Sequence, residues 1–243
     1  MRILQLNVWT GRMKGALTRF LRENQFDVIC MQEAVWSDQL GVQLKYFVND
    51  VSELREASGL EYEFKTSNWG IDVNDGRIEQ GNVILSRFPF IEQDAKIVHG
   101  NYYDVDLFDT NDHAYYAQRI VLPDNTVVIN YHGYWKPDPL GDEETVRCMK
   151  AVADMIRDER RPVIMCGDLN VIAESPAMRE LDFLHDLTAE NHVKTTLANI
   201  KFIKDVACDH ILINEKLTAQ NFTVHQAIIT DHLPVSVEVL PKT

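Results

Sequence analysis

The segment Arg161–Pro176 reads RPVIMCGDLNVIAESP and guides the interpretation of the whole chain. Its apolar run, VIMC, is typical of a buried strand, and a carboxylate and an amide follow where that strand should end. Gly167 lets the backbone turn or be approached closely. Side chains at i and i+2 of an extended segment point the same way, so we expect Asp168 and Asn170 to address one ligand. The alternative is an Asx-turn that only closes the strand.

The length and composition are those of an ordinary globular protein. The chain has 243 residues without an internal repeat or linker, which predicts one domain over 1–243. No apolar run approaches the ~20 residues that span a bilayer, and the first residues do not resemble a signal peptide. The four cysteines are far apart, which favours buried thiols in a reducing compartment. We therefore expect a cytoplasmic protein with no transmembrane segment and no evident obligate protein partner.

The charge balance bears on the choice of substrate. Lys and Arg number 24 against 37 Asp and Glu, which gives a net charge of −13. A protein that binds duplex DNA through many phosphates normally presents a basic face, and an acidic overall field repels a polyanion. A local basic patch remains compatible with this charge.

The N-terminal region has a strand–helix–strand pattern. Arg2–Val8 is predicted as a strand with Asn7 near its end, and an amphipathic helix separates it from a second strand, Asp27–Met31. Gln32 and Glu33 follow that second strand. Strands joined in this way are usually parallel neighbours, so we expect Asn7 and Glu33 at the same edge of one sheet.

The rest of the chain alternates predicted strands with predicted helices, which indicates mixed sheets covered by helices. The predicted helices are Ser37–Asn49, Asp142–Arg161 and Ala177–Leu184. The predicted strands are Leu60–Asn68, Gly81–Arg87 with Phe90–Val98 as its hairpin partner, Ala114–Leu122, Thr126–Tyr131, Ala207–Asn214, Phe222–Ile229 and Leu233–Val239. Asn74–Gln80 is predicted as a polar loop. His99–His113 favours a solvated acidic loop, with a substrate-covering loop or a second metal site as alternatives.

Eight polar residues interrupt or end these apolar strands. They are Asn7, Glu33, His132, Asp168, Asn170, Asp209, Asp231 and His232. Each one alone is explained by a turn or a surface position. Together they supply carboxylates that suit a hard divalent cation, and amides and imidazoles that suit phosphate oxygens. This combination indicates metal-assisted hydrolysis of a phosphoester.

The motifs that carry these residues occur in a recognisable order: LNVW, QE, GNVILSRFP, NYHG, GDLN, CDHILIN and TDH. In that order the chain resembles the endonuclease/exonuclease/phosphatase superfamily, the group that includes DNase I and exonuclease III-type enzymes. The resemblance implies an α/β (α+β) fold of the DNase I-like kind. That fold is a four-layered sandwich of two mixed β-sheets flanked by helices.

The resemblance also implies a role for each position. It implies a Mg²⁺ or Mn²⁺ site at Asn7, Glu33 and Asp231, and catalytic roles for His132, Asp168, Asn170, Asp209 and His232. Asp168 matches the aspartate that orients or deprotonates the attacking water, with Asn170 as its partner. His132 matches a histidine that contacts the phosphate or acts as an acid. Asp209 is expected to orient His232 by a hydrogen bond.

The resemblance implies in-line attack of water on a phosphodiester, with a nuclease-like enzyme as the leading hypothesis and nucleic acid as one candidate substrate. The segments QLNVWTG and QEAVWSDQ are similar to the neutral sphingomyelinase branch, so a small or lipid phosphodiester is the alternative. Trp9 stands where some abasic-site endonucleases have an aspartate, which weakens a repair function. A non-catalytic binding protein is a further alternative. Glu79 either pairs with His132 or is an ordinary loop glutamate.

Overall fold

Two β-sheets packed face to face form the centre of the structure. This computed structural model describes residues 1–39, 48–73, 76–104, 113–199 and 205–242. Within these residues the first sheet has seven strands in the order β12-β13-β1-β2-β4-β3-β6. They are β1 (Arg2–Asn7), β2 (Val28–Trp36), β3 (Tyr62–Val73), β4 (Gly76–Ser86), β6 (Tyr103–Asp104), β12 (Leu217–Val224) and β13 (Val235–Pro241).

The second sheet has six strands among the described residues, in the order β10-β11-β9-β8-β7-β5. They are β5 (Glu92–His99), β7 (Tyr115–Val121), β8 (Val127–Tyr131), β9 (Val163–Asp168), β10 (His185–Asp186) and β11 (Asp209–Ile213). Both sheets are mixed, because β1 pairs parallel with β2, β3 with β6, and β8 with β9, while the other pairs are antiparallel.

Helices cover the outer faces of both sheets. They are α1 (Ala16–Glu23), α2 (Val51–Ser58), α3 (Glu143–Ala153) and the short α4 (Leu187–Glu190), with 3-10 helices at Trp9–Gly11 and Pro176–Leu181. One apolar cluster fills the space between the sheets, a second joins the first sheet to α1 and α2, and a third joins the second sheet to α3. The predicted four-layered sandwich of two mixed sheets is therefore confirmed.

Strand β2 is longer than predicted. It continues past Met31 to Trp36, and its register with β4 shifts between Met31 and Ala34. This shift is a β-bulge, which adds a residue without ending the strand. Glu33 therefore lies inside a strand and not after its end.

The prediction that Phe90–Val98 forms a hairpin with Gly81–Arg87 is wrong. Strand β4 lies between β2 and β3, so both of its edges are already paired. After Pro89 the chain crosses to the other sheet, where β5 pairs with β7. The predicted loop Asn74–Gln80 is also wrong from Gly76 onward, because this segment begins β4 and pairs with the end of β3.

One helix prediction falls largely outside the described residues, and another differs from the structure at its end. Residues 40–47 of the predicted helix Ser37–Asn49 lie outside the described residues, and α2 begins just after it, capped by Asp50. Helix α3 ends at Ala153 and not at Arg161, since the amides of Met155 and Ile156 bond to carbonyls three residues back. That pattern tightens the backbone into turns.

Several smaller boundaries also move. The predicted helix Ala177–Leu184 is a 3-10 helix, Pro176–Leu181, and the predicted strand Phe222–Ile229 corresponds to β12, which ends at Val224. Among the described residues, no helix is both long and apolar enough to cross a membrane.

Candidate active site

The strand residues that face the gap between the sheets change in character along each strand. On β1, Ile3 lies in the apolar cluster between the sheets, and the next residues with the same orientation are Gln5 and Asn7. On β8 and its continuation the same sequence of positions is Val128, Asn130 and His132. Apolar packing thus gives way to buried amides and then to the predicted site residues. The site lies at the end of the sandwich where β1, β8 and β9 terminate.

The amide of Asn7 holds two carboxylates. Its Nδ2 donates to Glu33 Oε1 at 3.1 Å and to Asp168 Oδ2 at 2.9 Å, and its Oδ1 accepts from the backbone N–H of Trp9 at 3.0 Å. Asn7 and Asp168 are buried, whereas Glu33 is partly exposed. The predicted meeting of Asn7 and Glu33 at one sheet edge is confirmed. The role of Asn7 as a metal ligand stays a prediction.

The bulge in β2 directs Glu33 toward this edge. Glu33 has φ 55°, in the left-handed region, at the position where the register with β4 shifts. Such a conformation is uncommon outside glycine and persists only when its surroundings hold it. The extra residue turns the carboxylate toward Asn7.

Asp168 and Asn170 form a tight turn after β9. The backbone N–H of Asn170 donates to Asp168 Oδ1 at 3.1 Å, and Asn170 has φ 56°. The predicted Asx-type contact is therefore present. The two side chains bond to different partners, since Asn170 Nδ2 donates to Gly133 O at 2.9 Å and Asp168 Oδ2 accepts from Asn7. A ligand shared by Asp168 and Asn170 therefore stays a prediction.

Gly133 brings the chain after His132 against the same turn. Its N–H donates to Asp168 O at 2.7 Å, and a Cβ at this position would lie 2.0 Å from Leu169 O. Only glycine permits this approach. This hydrogen bond and the close backbone contact hold the end of β8 against the end of β9.

His232 and Asp209 form a buried pair. His232 Nδ1 donates to Asp209 Oδ2 at 2.8 Å. Burial opposes the charge of His232, but the carboxylates of Asp209 and Asp168 raise its pKa well above the ordinary value. Burial likewise opposes ionisation of Asp209, yet His232 lowers the pKa of that carboxyl. Both shifts favour an imidazolium paired with a carboxylate, and the contact is the one that the family resemblance implied.

Two imidazoles approach the same carboxylate oxygen. His232 Nε2 lies 3.6 Å and His132 Nε2 lies 3.7 Å from Asp168 Oδ2. Both distances exceed a hydrogen bond, so both nitrogens can bond to a ligand between them.

The surroundings of His132 Nδ1 show whether Glu79 pairs with this histidine. His132 Nδ1 is buried and has no hydrogen-bond partner. Glu79 instead accepts from Arg77 Nε at 2.7 Å and from the hydroxyl of Tyr102. Glu79 therefore does not pair with His132 in this structure.

Asp231 lies in the segment that leads to His232. It is buried, and the hydroxyl of Thr230 bonds to Asn7 O at 2.9 Å, which ties this segment to the end of β1. The segment thus reaches the same end of the sandwich as Asn7.

The chemistry of the donors suits a divalent cation. Glu33 and Asp168 share one amide, and the described part of the chain places no lysine or arginine against either carboxylate. Carboxylate oxygens are ligands that Mg²⁺ and Mn²⁺ prefer, and Glu33 is the better candidate of the two because the imidazole of His232 already lies 3.6 Å from Asp168 Oδ2. Cys208 lies within 4.8 Å of ligand atoms of Asp168 and His232, but burial and the nearby carboxylates raise its pKa, so the thiol stays neutral.

A second cluster of potential ligands begins where β5 ends. His99, Glu144 and Cys148 have ligand atoms within 4.8 Å of one another. The guanidinium of Arg147 donates to Glu144 and lies 3.4 Å from His99 Nδ1, so a cation from the protein already balances this cluster. Residues 105–112 of the predicted acidic loop lie outside the described residues, so its alternatives stay predictions.

Sequence reasoning missed a set of buried amides beneath the site. They are Gln5, Gln32, Asn130 and Gln118. The available signal was position, because Gln5 and Asn130 each stand two residues before a site residue, on the same face of the strand.

Comparison with known proteins identifies the family. A sequence profile described as the Endonuclease/Exonuclease/phosphatase family matches residues 4–232. No curated protein sequence matches the chain significantly.

Solved structures share the fold at low sequence identity. A functionally unknown conserved protein from Enterococcus faecalis has 14% identity over 100% of both chains and a TM-score of 0.71. The mannosyl-6-phosphatase of Bacteroides thetaiotaomicron has 16% identity over 99% of each chain and a TM-score of 0.65. The human Nocturnin catalytic domain with bound sulfate has 14% identity, covers 100% of this chain and 93% of its own, and has a TM-score of 0.66. At these identities the likeness establishes the fold alone. Because the family profile extends over nearly the whole sequence, the chain belongs to the Endonuclease/Exonuclease/phosphatase family.

Proposed function

We propose that this protein is a divalent-metal-dependent phosphoesterase that hydrolyses a phosphodiester by in-line attack of water. Members of the family are generally hydrolases of phosphoesters, and they usually use divalent metals. The observation that carries the proposal is the arrangement around Asp168. One oxygen of this carboxylate accepts from Asn7 and has two imidazole nitrogens within 3.7 Å.

The proposed metal site uses Glu33 as its principal ligand, with Asp231 and the remaining lone pair of Asn7 as further candidates. A bound Mg²⁺ or Mn²⁺ supplies Lewis-acid stabilisation of negative charge on the phosphate oxygens. Asn7 has a second function in this proposal, because its amide nitrogen fixes the positions of Glu33 and Asp168 relative to each other.

The remaining site residues accept a proton from the attacking water and donate hydrogen bonds to the phosphate. Asp168 accepts a proton from the attacking water, and the turn at Asn170 keeps that carboxylate oriented. His232 donates from Nε2 to a phosphate oxygen, and its positive charge strengthens this bond. His132 donates from Nε2 to the phosphate or to the leaving oxygen.

Hydrolysis of bis(p-nitrophenyl) phosphate with Mg²⁺, with Mn²⁺ and with a chelator tests the reaction class. We expect metal-dependent turnover in the wild type and none in Glu33→Ala or Asp168→Ala. Glu215→Gln is a control for the loss of one carboxylate, because Glu215 is exposed and pairs only loosely with Lys216 at 3.9 Å. Turnover near the wild-type level in either site variant would contradict the proposed mechanism.

The substrate class divides into two candidates. Nucleic acid follows from the nuclease-like hypothesis, and the net charge of −13 favours a small or lipid phosphoester instead. Nucleic-acid affinity measured against salt separates them, since each neutralised phosphate contributes a slope of about 0.9 log units per log unit of salt for duplex DNA. A steep slope supports nucleic acid, and undetectable binding supports a small substrate.

A further inference from the structure

Four buried amide side chains connect the two sheets directly beneath the candidate site. They are Gln118, Asn130, Gln32 and Gln5, and we refer to them as the amide chain. Each has a relative exposure of 0%. None of them has a role in the chemistry proposed above.

The direction of the hydrogen bonds is set at the end far from the site. Gln118 Nε2 donates to the backbone carbonyls of Phe64 at 3.0 Å and Asn82 at 3.1 Å. A carbonyl oxygen only accepts, so the amide nitrogen of Gln118 must face these strands. Its oxygen must therefore face Asn130.

The same logic fixes Asn130. Its Nδ2 donates to Gln118 Oε1 at 2.8 Å and also faces the carbonyls of Met31 at 3.0 Å and Val83 at 3.2 Å. Its Oδ1 is left to accept from Gln32 Nε2 at 2.6 Å. Reversal of this amide would place its oxygen against three acceptors, which is strongly unfavourable in a buried position.

The last two amides carry this direction to the site. Gln32 Nε2 also donates to Gln5 Oε1 at 2.9 Å, and Gln5 Nε2 donates back to Gln32 Oε1 at 2.6 Å. The nitrogen of Gln5 then has one further acceptor, Asp209 Oδ1, at 3.1 Å. The amide chain therefore ends in a donor directed at the carboxylate that holds His232.

We propose that Gln5 is a positioning residue that holds Asp209, and through it His232, in the orientation required for phosphate binding. Gln5 bonds to Oδ1 of Asp209, while His232 bonds to Oδ2, so together they fix both oxygens of the carboxylate. Without Gln5 the buried Oδ1 loses this donor, and Thr196 and the Cys208 thiol are left as the side-chain partners of Asp209 besides His232. We therefore expect the carboxylate to be held less firmly in the orientation that bonds to His232. This inference rests on the proposed function for its effect on turnover, but its structural part is independent of any substrate.

Two substitutions at Gln5 and one matched control test the proposal. Gln5→Met keeps the size and removes the donor, and Gln5→Glu keeps the shape and replaces the donor with an acceptor. The control is Asn214→Leu, because Asn214 is also a buried amide, bonded to the backbone groups Val163 N, Lys216 N and Arg161 O, at the opposite end of β9. Loss of the Asn214 amide should lower the stability of the fold and leave the contact between Asp209 and His232 unchanged.

The first readout is a double-mutant cycle with His232→Ala. We expect Gln5→Met to lower kcat by ~10- to 100-fold in the wild-type background, as loss of an orienting partner typically does. In the His232→Ala background the same substitution should change kcat by less than about twofold, because the residue it positions is absent. Equal losses in both backgrounds would overturn the proposal.

The second readout needs no activity. The proton on His232 Nδ1, hydrogen-bonded to a buried carboxylate, should give a downfield resonance in the proton NMR spectrum of the wild type. We expect this resonance to be lost or broadened in both Gln5 variants and kept in Asn214→Leu. An unchanged resonance in the Gln5 variants, or its equal loss in Asn214→Leu, would overturn the positioning role. If the wild type hydrolyses no phosphoester, the proposed function fails while this spectrum still decides the role of Gln5.

Discussion

His232 Nδ1 lies 2.8 Å from Asp209 Oδ2, and both side chains are buried. The negative charge of Asp209 is a main reason why the pKa of His232 exceeds its ordinary value in spite of burial. The carboxylate thus orients the imidazole and favours its protonated form.

Replacement of the negative charge of Asp209 should lower the activity of the site, while the volume of the side chain stays nearly the same. In Asp209→Asn we expect the pKa of His232 to fall and kcat to drop by ~10²- to 10⁴-fold, the usual contribution of an oriented acid or base. Steady-state kinetics and an NMR titration of His232 measure the two effects. The matched control is Asp186→Asn, which alters a second histidine–carboxylate pair, buried His210 Nδ1 with partly exposed Asp186 Oδ2 at 2.9 Å. If both variants lose turnover equally, the effect is not specific to the site.

Metal affinity should depend on Glu33. Glu33→Gln keeps the side-chain shape and removes the charge, so we expect Mg²⁺ or Mn²⁺ affinity to fall at least ~10-fold by calorimetry, since the hard cation prefers a carboxylate. Glu215→Gln, on the exposed surface, should bind metal as the wild type does. Equal affinity in wild type and Glu33→Gln would refute the assignment of this ligand.

The left-handed backbone at Asn170 allows its conformational and chemical roles to be separated. Asn170 has φ 56° and donates from Nδ2 to Gly133 O. Asn170→Gly accepts this φ without strain, whereas Asn170→Ala carries an additional cost of about 1–2 kcal/mol. Urea unfolding should therefore find the alanine variant less stable than the glycine variant. Both should lose turnover, because both lack the amide, and a more stable alanine variant would contradict this account.

The positions of most site residues could be predicted because they follow from strand periodicity. Asp168 ends an apolar run, and Asn7 and His132 end two others. The alternation of side chains along each strand and the position where each strand ends were enough to predict that these residues lie near one another. A parallel pair of strands then fixed which ends are neighbours.

Other features depend on contacts that are remote in sequence. Nothing local to QE shows that β2 continues through a bulge, since the bulge depends on the register with β4. Similarly, β5 joins the second sheet because both edges of β4 are already occupied. Gln5 looks like an ordinary polar residue until Asp209, 204 positions away, is placed against it.

The pair formed by buried His210 and partly exposed Asp186 should make the free energy of unfolding depend on pH. Burial lowers the pKa of His210, but the carboxylate of Asp186, together with the hydrogen bond to Val171 O and the charge of Asp209, outweighs this effect, so the pKa lies above the ordinary value of about 6.5. A histidine whose pKa is raised by folding binds its proton more tightly in the folded state. Its stabilisation is therefore complete below about pH 6.5 and is lost as the pH rises through the raised pKa.

Asp186→Asn isolates this contribution. Asp186 also caps α4 by accepting from the backbone amides of Thr188 and Ala189, and asparagine caps helices equally well. We expect the variant to be less stable than the wild type by about 1.5–3 kcal/mol at pH 5.5, the range for a hydrogen bond to a charged group. Free energies of unfolding measured in urea between pH 5.5 and 9 should show this difference shrinking as the pH rises. A difference that is constant or grows with pH would mean that His210 is not charged in the folded protein.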